Sequence, residues 1–186
     1  MITQTNILIN NKLLPSSWTK IEETYWAYLA GFLDGDGSIF IKIIPAKTFL
    51  KYRISVNIGF YLHKKHYYLL KKISKLFNRR GHLRIKPNSD IAEFTISEST
   101  YIQYFLTKLY PYLILKKPQT KLVLQIIKEY ENLGSYSRDK NNKDKFSDLQ
   151  TTFLEVCKKI DKVAEHNNSK NRKHTYESVL KKYLEE

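Results

Sequence analysis

From Tyr52 to Phe60 the chain alternates without a break, with Arg53, Ser55 and Asn57 on one parity and Ile54, Val56, Ile58 and Phe60 on the other. A period of two is that of a strand with one buried and one wet face. It commits the chain to an antiparallel sheet covered on a single side. Upstream, Phe40-Ile41-Lys42-Ile43-Ile44 reads as the partner strand, joined through a turn over 45–50. A second hairpin is predicted from strands at 82–86 and 92–96 around the turn Pro87-Asn88-Ser89-Asp90. There Leu83, Ile85, Phe94 and Ile96 alternate with Arg84, Lys86, Glu93 and Thr95.

Helical spacing fills the gaps between these strands. Thr24 is placed to cap a helix carrying Trp26, Leu29, Phe32 and Leu33, apolar nearly all round and therefore buried on several sides. Further helices are expected over 63–77, 100–109, 118–133, 147–165 and 175–184, with a charge-rich loop at 134–145. The order αββαββα followed by C-terminal helices is an α+β plan, in which helices cover one face of a four-stranded antiparallel sheet. Residues 1–20 lack periodicity and read as an N-terminal extension; 21–186 read as one domain, its C-terminal helices starting at about 147.

Charge narrows the function. Thirty-two Lys and Arg against 18 Asp and Glu leave a net +14 on 186 residues, an excess suited to a polyanionic partner whose condensed counterions are released on binding. No apolar run is long enough to cross a bilayer, and the first twenty residues lack an apolar signal core, so neither a membrane protein nor a secreted one is expected. Cys157, the sole cysteine, points to a reducing compartment. The wet face of the sheet offers Lys, Arg, Ser, Thr and Asn, which contact phosphates and base edges, and a twisted ribbon of this kind fits a DNA major groove.

At the end of the first helix stands Asp34-Gly35-Asp36-Gly37, where glycines are expected to allow a sharp exit. Asp and Gly are turn residues as well as metal ligands. A calcium-loop spacing fails, since Ile39 and Pro45 stand where it needs Gly and Glu. The wider string Leu29-Ala30-Gly31-Phe32-Leu33-Asp34-Gly35-Asp36-Gly37 resembles the signature of the LAGLIDADG homing endonucleases in their single-motif form. The likeness continues through Leu109-Tyr110-Pro111-Tyr112-Leu113 and Leu115-Lys116-Lys117 to the segment around Phe153-Leu154-Glu155-Val156-Cys157.

That resemblance implies a homodimer cutting double-stranded DNA at a long, nearly palindromic site by metal-dependent phosphodiester hydrolysis. Leu29, Ala30, Gly31 and Phe32 would form the dimer interface, the small Ala30 and Gly31 letting two helices cross closely. Asp36 and the Gly35 carbonyl would bind Mg²⁺, for which Ca²⁺ or Mn²⁺ can substitute in a crystal, while Asp34 would be structural. Lys116 would be the basic residue near the reacting phosphate, with Lys117 as its rival. Leu62 stands where the family has a polar, water-ordering residue; either His63 takes that part, the solvent is ordered differently, or catalysis is weaker. DNA would face Lys42, Ile44, Arg53, Ser55, Asn57, Tyr61, Arg84, Lys86, Glu93 and Thr95, with His66, Ser169, Lys170 and Lys173 on the backbone. An organellar protein encoded by a mobile intron is the expectation. An RNA-binding maturase and a catalytically silent DNA-binding protein are the competing readings.

Overall fold

The computed structural model describes residues 8–9, 12–13, 20–48, 50–136, 144–167 and 172–185. In chain order the elements are β1 (Leu8–Ile9), β2 (Lys12–Leu13), α1 (Glu23–Asp36), β3 (Gly37–Pro45), β4 (Tyr52–His63), α2 (Tyr67–Leu76), β5 (His82–Ile85), β6 (Ile91–Ile96), α3 (Ser99–Leu109), α4 (Lys117–Tyr136), α5 (Asp144–His166) and α6 (Tyr176–Leu184). The expected αββαββα order is present, and the four long strands form one antiparallel sheet in the order β3-β4-β6-β5. β1 and β2 pair with each other, which the aperiodic first twenty residues did not foretell.

Contacts group the chain into two compact units, Met1–Ile39 with Asn57–Lys117 and Phe40–Val56 with Pro118–Glu186. In the first, α1 buries Trp26, Leu29, Ala30 and Leu33. The indole of Trp26 meets Phe77, Tyr104 and Phe105 at ring distances of 6.1, 6.1 and 5.7 Å. Phe60 and Phe94, both fully buried, join this cluster from β4 and β6 through Phe105 and Phe77. Each aromatic removes a large apolar area from water, and the tilted and edge-on contacts add about 0.5–1.5 kcal/mol per pair. α2 lies on β5 and β6 through Leu70 and Ile73.

In the second unit, α5 contributes Phe153, Val156, Cys157, Ile160 and Val163, α4 contributes Val123, Ile126 and Ile127, and α6 packs Val179. Asp161 ties the start of α6 to α5, accepting from the Tyr176 N–H at 3.0 Å and pairing with Arg172. Tyr183 donates to the Leu50 carbonyl at 2.6 Å. The capping box of α6 uses Thr175 and Ser178.

Several boundaries differ from expectation, among them α2, expected from residue 63 but starting at Tyr67 because β4 runs on to His63. α1 is capped by the backbone of Glu22 and not by Thr24, and it runs through Asp34 and Gly35 to Asp36. Neither glycine there has positive φ; Gly37 is extended at φ −94° and ψ 170°. Its absent side chain matters because an added Cβ would sit 2.7 Å from Leu33 Cα and 2.8 Å from Leu33 O. α5 opens at Asp144, three residues before the predicted start, and 137–143 of the expected loop lie outside the described residues.

Candidate active site and nucleic-acid interface

Because α1 continues through the motif, its two aspartates lie on different sides. Asp34 turns to the chain between α3 and α4. Its Oδ2 accepts from the N–H groups of Ile114 and Leu115 at 2.7 and 3.2 Å, and its Oδ1 accepts from the Lys116 N–H at 2.8 Å. These donors immediately precede α4, whose N-terminus favours a carboxylate. Asp34 is thus structural, as expected. Lys116 answers by donating from Nζ to the Asp34 carbonyl at 2.7 Å, a cation on the electron-rich end of α1. The motif and Lys116 are brought together by two hydrogen bonds across 82 residues of sequence.

Asp36 is exposed. It lines an open depression of about 460 Å³ with Ala27, Tyr28, Gly31, Phe32, Leu62 and Leu69. Leu62 therefore sits in the same depression as Asp36 and gives it an apolar wall. His63 follows it in an exposed position, its Nδ1 accepting from the Lys65 N–H at 3.2 Å. That bond leaves Nε2 to carry the proton of the neutral ring. Lys117 lies with Nζ 5.3 Å from the Tyr110 ring centre.

Two of the four residues assigned to the dimer interface are misplaced by sequence reasoning. Leu29 and Ala30 are fully buried inside the protomer; on a helix Gly31 faces about 100° away from Ala30 and about 200° away from Leu29. Gly31 is exposed and Phe32 partly so. Added Cβ atoms at Gly31 and Gly35 would meet nothing within 4 Å.

On the uncovered side of the sheet, the register builds a grid in the first unit. Gly59, Thr95 and His82 form one row, Tyr61, Glu93 and Arg84 the next, and His63 and Ile91 pair at the end. Glu93 is the hub. Arg84 donates from Nε to its Oε1 at 2.6 Å, and Lys86 Nζ lies 3.3 Å from Oε2. Burial alone would push this carboxyl up, but the bonds from Arg84 and Lys86 outweigh it and hold its pKa below the ordinary glutamate value. Tyr61 leans back over Gly59, whose added Cβ would strike the phenol oxygen at 2.4 Å, and Lys86 Nζ stands 5.0 Å from the ring centre. Burial, then the Glu93 charge, raise the Tyr61 pKa.

Glu93 itself is only 6% exposed, so it cannot face a groove as the alternation suggested; Arg84 and Lys86 cover it. His82 and Ile91 were missed. Ile91 is 41% exposed, and its parity with Glu93 would have found it had β6 been started one residue earlier. His66, partly exposed, has its ring 6.4 Å from that of Tyr68. In the second unit Lys42, Arg53 and Lys173 are exposed and Ile44 and Ser55 partly so. Ser169 and Lys170 lie outside the described residues.

A helix ending in an exposed carboxylate, leading into a sheet with one cationic open face, is the layout of the LAGLIDADG endonucleases. Residues 29–121 match that family, and the chain belongs to it. It is 34% identical over 164 residues to the DNA endonuclease I-CreI of Chlamydomonas reinhardtii, spanning 87% of this chain and 90% of that one. It is 38% identical over 112 residues to the DNA endonuclease I-CvuI of Chlorella vulgaris, spanning 60% and 68%. The crystal structure of I-CvuI with its target in the presence of 2 mM Ca superposes with a TM-score of 0.71 at 31% identity, covering 88% of this chain and 94% of that one. A second I-CvuI structure, with the I-CreI target uncleaved in 2 mM Mg, gives 0.70 at 32% identity, covering 88% and 96%.

Proposed function

We propose that this protein is a homodimeric homing endonuclease that cuts a long, nearly palindromic DNA duplex with the help of Mg²⁺. One observation carries the dimer. Gly31 and Gly35 each cost a helix about 1 kcal/mol relative to alanine, yet this protomer has open space at both positions. What requires them is outside the chain, and a second copy of α1 crossing closely at that face supplies the reason.

The donor chemistry agrees. Asp36 and the Gly35 carbonyl offer the hard oxygens that Mg²⁺ prefers, while among the described residues no group of three or more His, Cys, Asp or Glu gathers within one chain. A site completed by the partner's copy fits that shortage. Bound there, the cation would acidify water and neutralise charge at the scissile phosphate. Asp36 would hold it, and Asp34 would keep the Lys116 ammonium fixed at the end of α1, close to the same phosphate. His63, whose Nε2 is left to donate, would orient water that Leu62 cannot.

Arg84, Lys86, Thr95, Tyr61 and Asn57 would read base edges from the first unit, and Lys42, Ile44, Arg53 and Ser55 from the second. Glu93 would set the directions of Arg84 and Lys86. His66, Ser169, Lys170 and Lys173 would grip the backbone. Two algal relatives support residence in an organelle. Incubation with a library of duplexes and Mg²⁺ tests the whole: double-strand cleavage that Asp36→Asn abolishes without loss of binding is expected. Binding without cutting by the wild type, or tighter binding to RNA than to any duplex, would refute it.

A further inference from the structure

α2 carries two stripes on opposite sides. Leu70, Ile73, Ser74 and Phe77 are buried, facing β5 and β6; Tyr68, Lys71, Lys72 and Lys75, at the same i, i+3, i+4, i+7 spacing, are exposed. Two residues of offset turn a helix by about 200°, so this second stripe points away from the sheet and hence away from the open face that holds Arg84 and Lys86. Among the described residues none of the three lysines has an ion-pair partner. From Lys64 to Ser89 the chain has no Asp or Glu. The helix dipole accounts for Lys75 in the last turn, but not for Lys71 and Lys72 one turn earlier. Beyond the helix, Arg79 is exposed and held at φ 57°, a left-handed position where glycine is the unstrained choice. A cation is kept there against backbone strain.

We infer that this outer face of α2 binds a second segment of duplex DNA, so that the protein bridges two segments while it searches for its site. The inference rests on the sheet being the first DNA-binding face. The chemistry selects the partner. A membrane would need the apolar stripe, which is buried in the core, and a protein interface would need apolar anchors beyond the lone Tyr68. Lysine ammoniums on flexible stems are point charges, better suited to phosphate oxygens than to bidentate reading of base edges. A long DNA held on the sheet face also keeps its own distant segments at high effective concentration around the opposite side.

The test uses full-length protein without divalent metal, loaded on bead-bound duplex and offered a labelled second duplex. Capture of the second duplex is expected, and the triple variant Lys71→Ala/Lys72→Ala/Lys75→Ala should lose it at least tenfold while binding the first duplex and, with Mg²⁺, cutting as before. The log–log salt slope of capture should shrink by about 3 in that variant, from roughly 0.9 per phosphate contact. Replacing the same lysines by Arg should preserve capture. First duplex held but second not captured, equal capture by the Ala variant, or capture of a labelled RNA oligonucleotide in preference to duplex would each overturn the inference. Failure to hold the first duplex would instead sink the sheet reading.

Discussion

Replacing Glu93 by Gln isolates the hub of the sheet's open face. The carboxylate accepts from Arg84 at 2.6 Å and faces Lys86 at 3.3 Å while only 6% exposed. Hydrogen bonds to charged groups contribute about 1.5–3 kcal/mol each when fully sheltered. Here the Arg84 and Lys86 side chains are 51% and 37% exposed, so solvent screening reduces that markedly. Gln keeps the shape and one acceptor oxygen, leaving an expected loss of about 1–2 kcal/mol in chemical denaturation. The pH dependence supplies the sign. Because the native pKa of Glu93 lies below its unfolded value, the wild type carries this stability above the ordinary glutamate range, about 4.3, and loses it as pH falls through and below that range. Glu93→Gln should lack that portion of the acid limb. It should also relax base preference by about tenfold where Arg84 and Lys86 read, since a well-aligned bidentate pair discriminates by about 1–3 kcal/mol. Unchanged stability, an unchanged acid limb and unchanged preference together would refute the hub assignment.

Gly37→Ala should cost about 1–3 kcal/mol by overpacking against the Leu33 backbone, read as a fall in the denaturation midpoint; no fall would mean the α1–β3 junction is looser than described. Leu62→Gln gives the Asp36 depression a polar wall and should raise the single-turnover cleavage rate without tightening DNA binding; an unchanged or lower rate would show that solvent is ordered elsewhere. Cys157, fully buried, has its thiol pushed up to about 12, by burial and then by Asp161. It should resist alkylation at pH 8 until the protein unfolds, and stability should fall as pH rises above about 8.5, where only the unfolded thiol ionises.

Much of this was legible because the period of two survives wherever one face of a strand is covered: it placed β4, β5 and β6 and the cations on their open side. The Asp34 role was legible only through the family resemblance, since Asp34 and Asp36 share the same helix end. What sequence could not give was depth. Alternation put Glu93 on the wet face, but only the register shows it submerged under Arg84 and Lys86. Spacing put Ala30 beside Gly31 as two small residues, but 100° of helical rotation sends one into the core and leaves the other open. Gly37 invited a positive φ; the structure uses its missing side chain for clearance from Leu33 instead. Gly59 gave no signal at all, since the space it leaves is filled by Tyr61 two residues on.

Mixed dimers test the central claim most directly. Wild-type and Asp36→Asn chains, unfolded together and refolded at varied ratio, form dimers at random, and cutting of each single strand, nicks included, is measured against the wild-type fraction. If each reacting centre draws one aspartate from either copy, activity follows the square of that fraction. A straight line would mean that a single chain holds its own complete site, and would contradict the account.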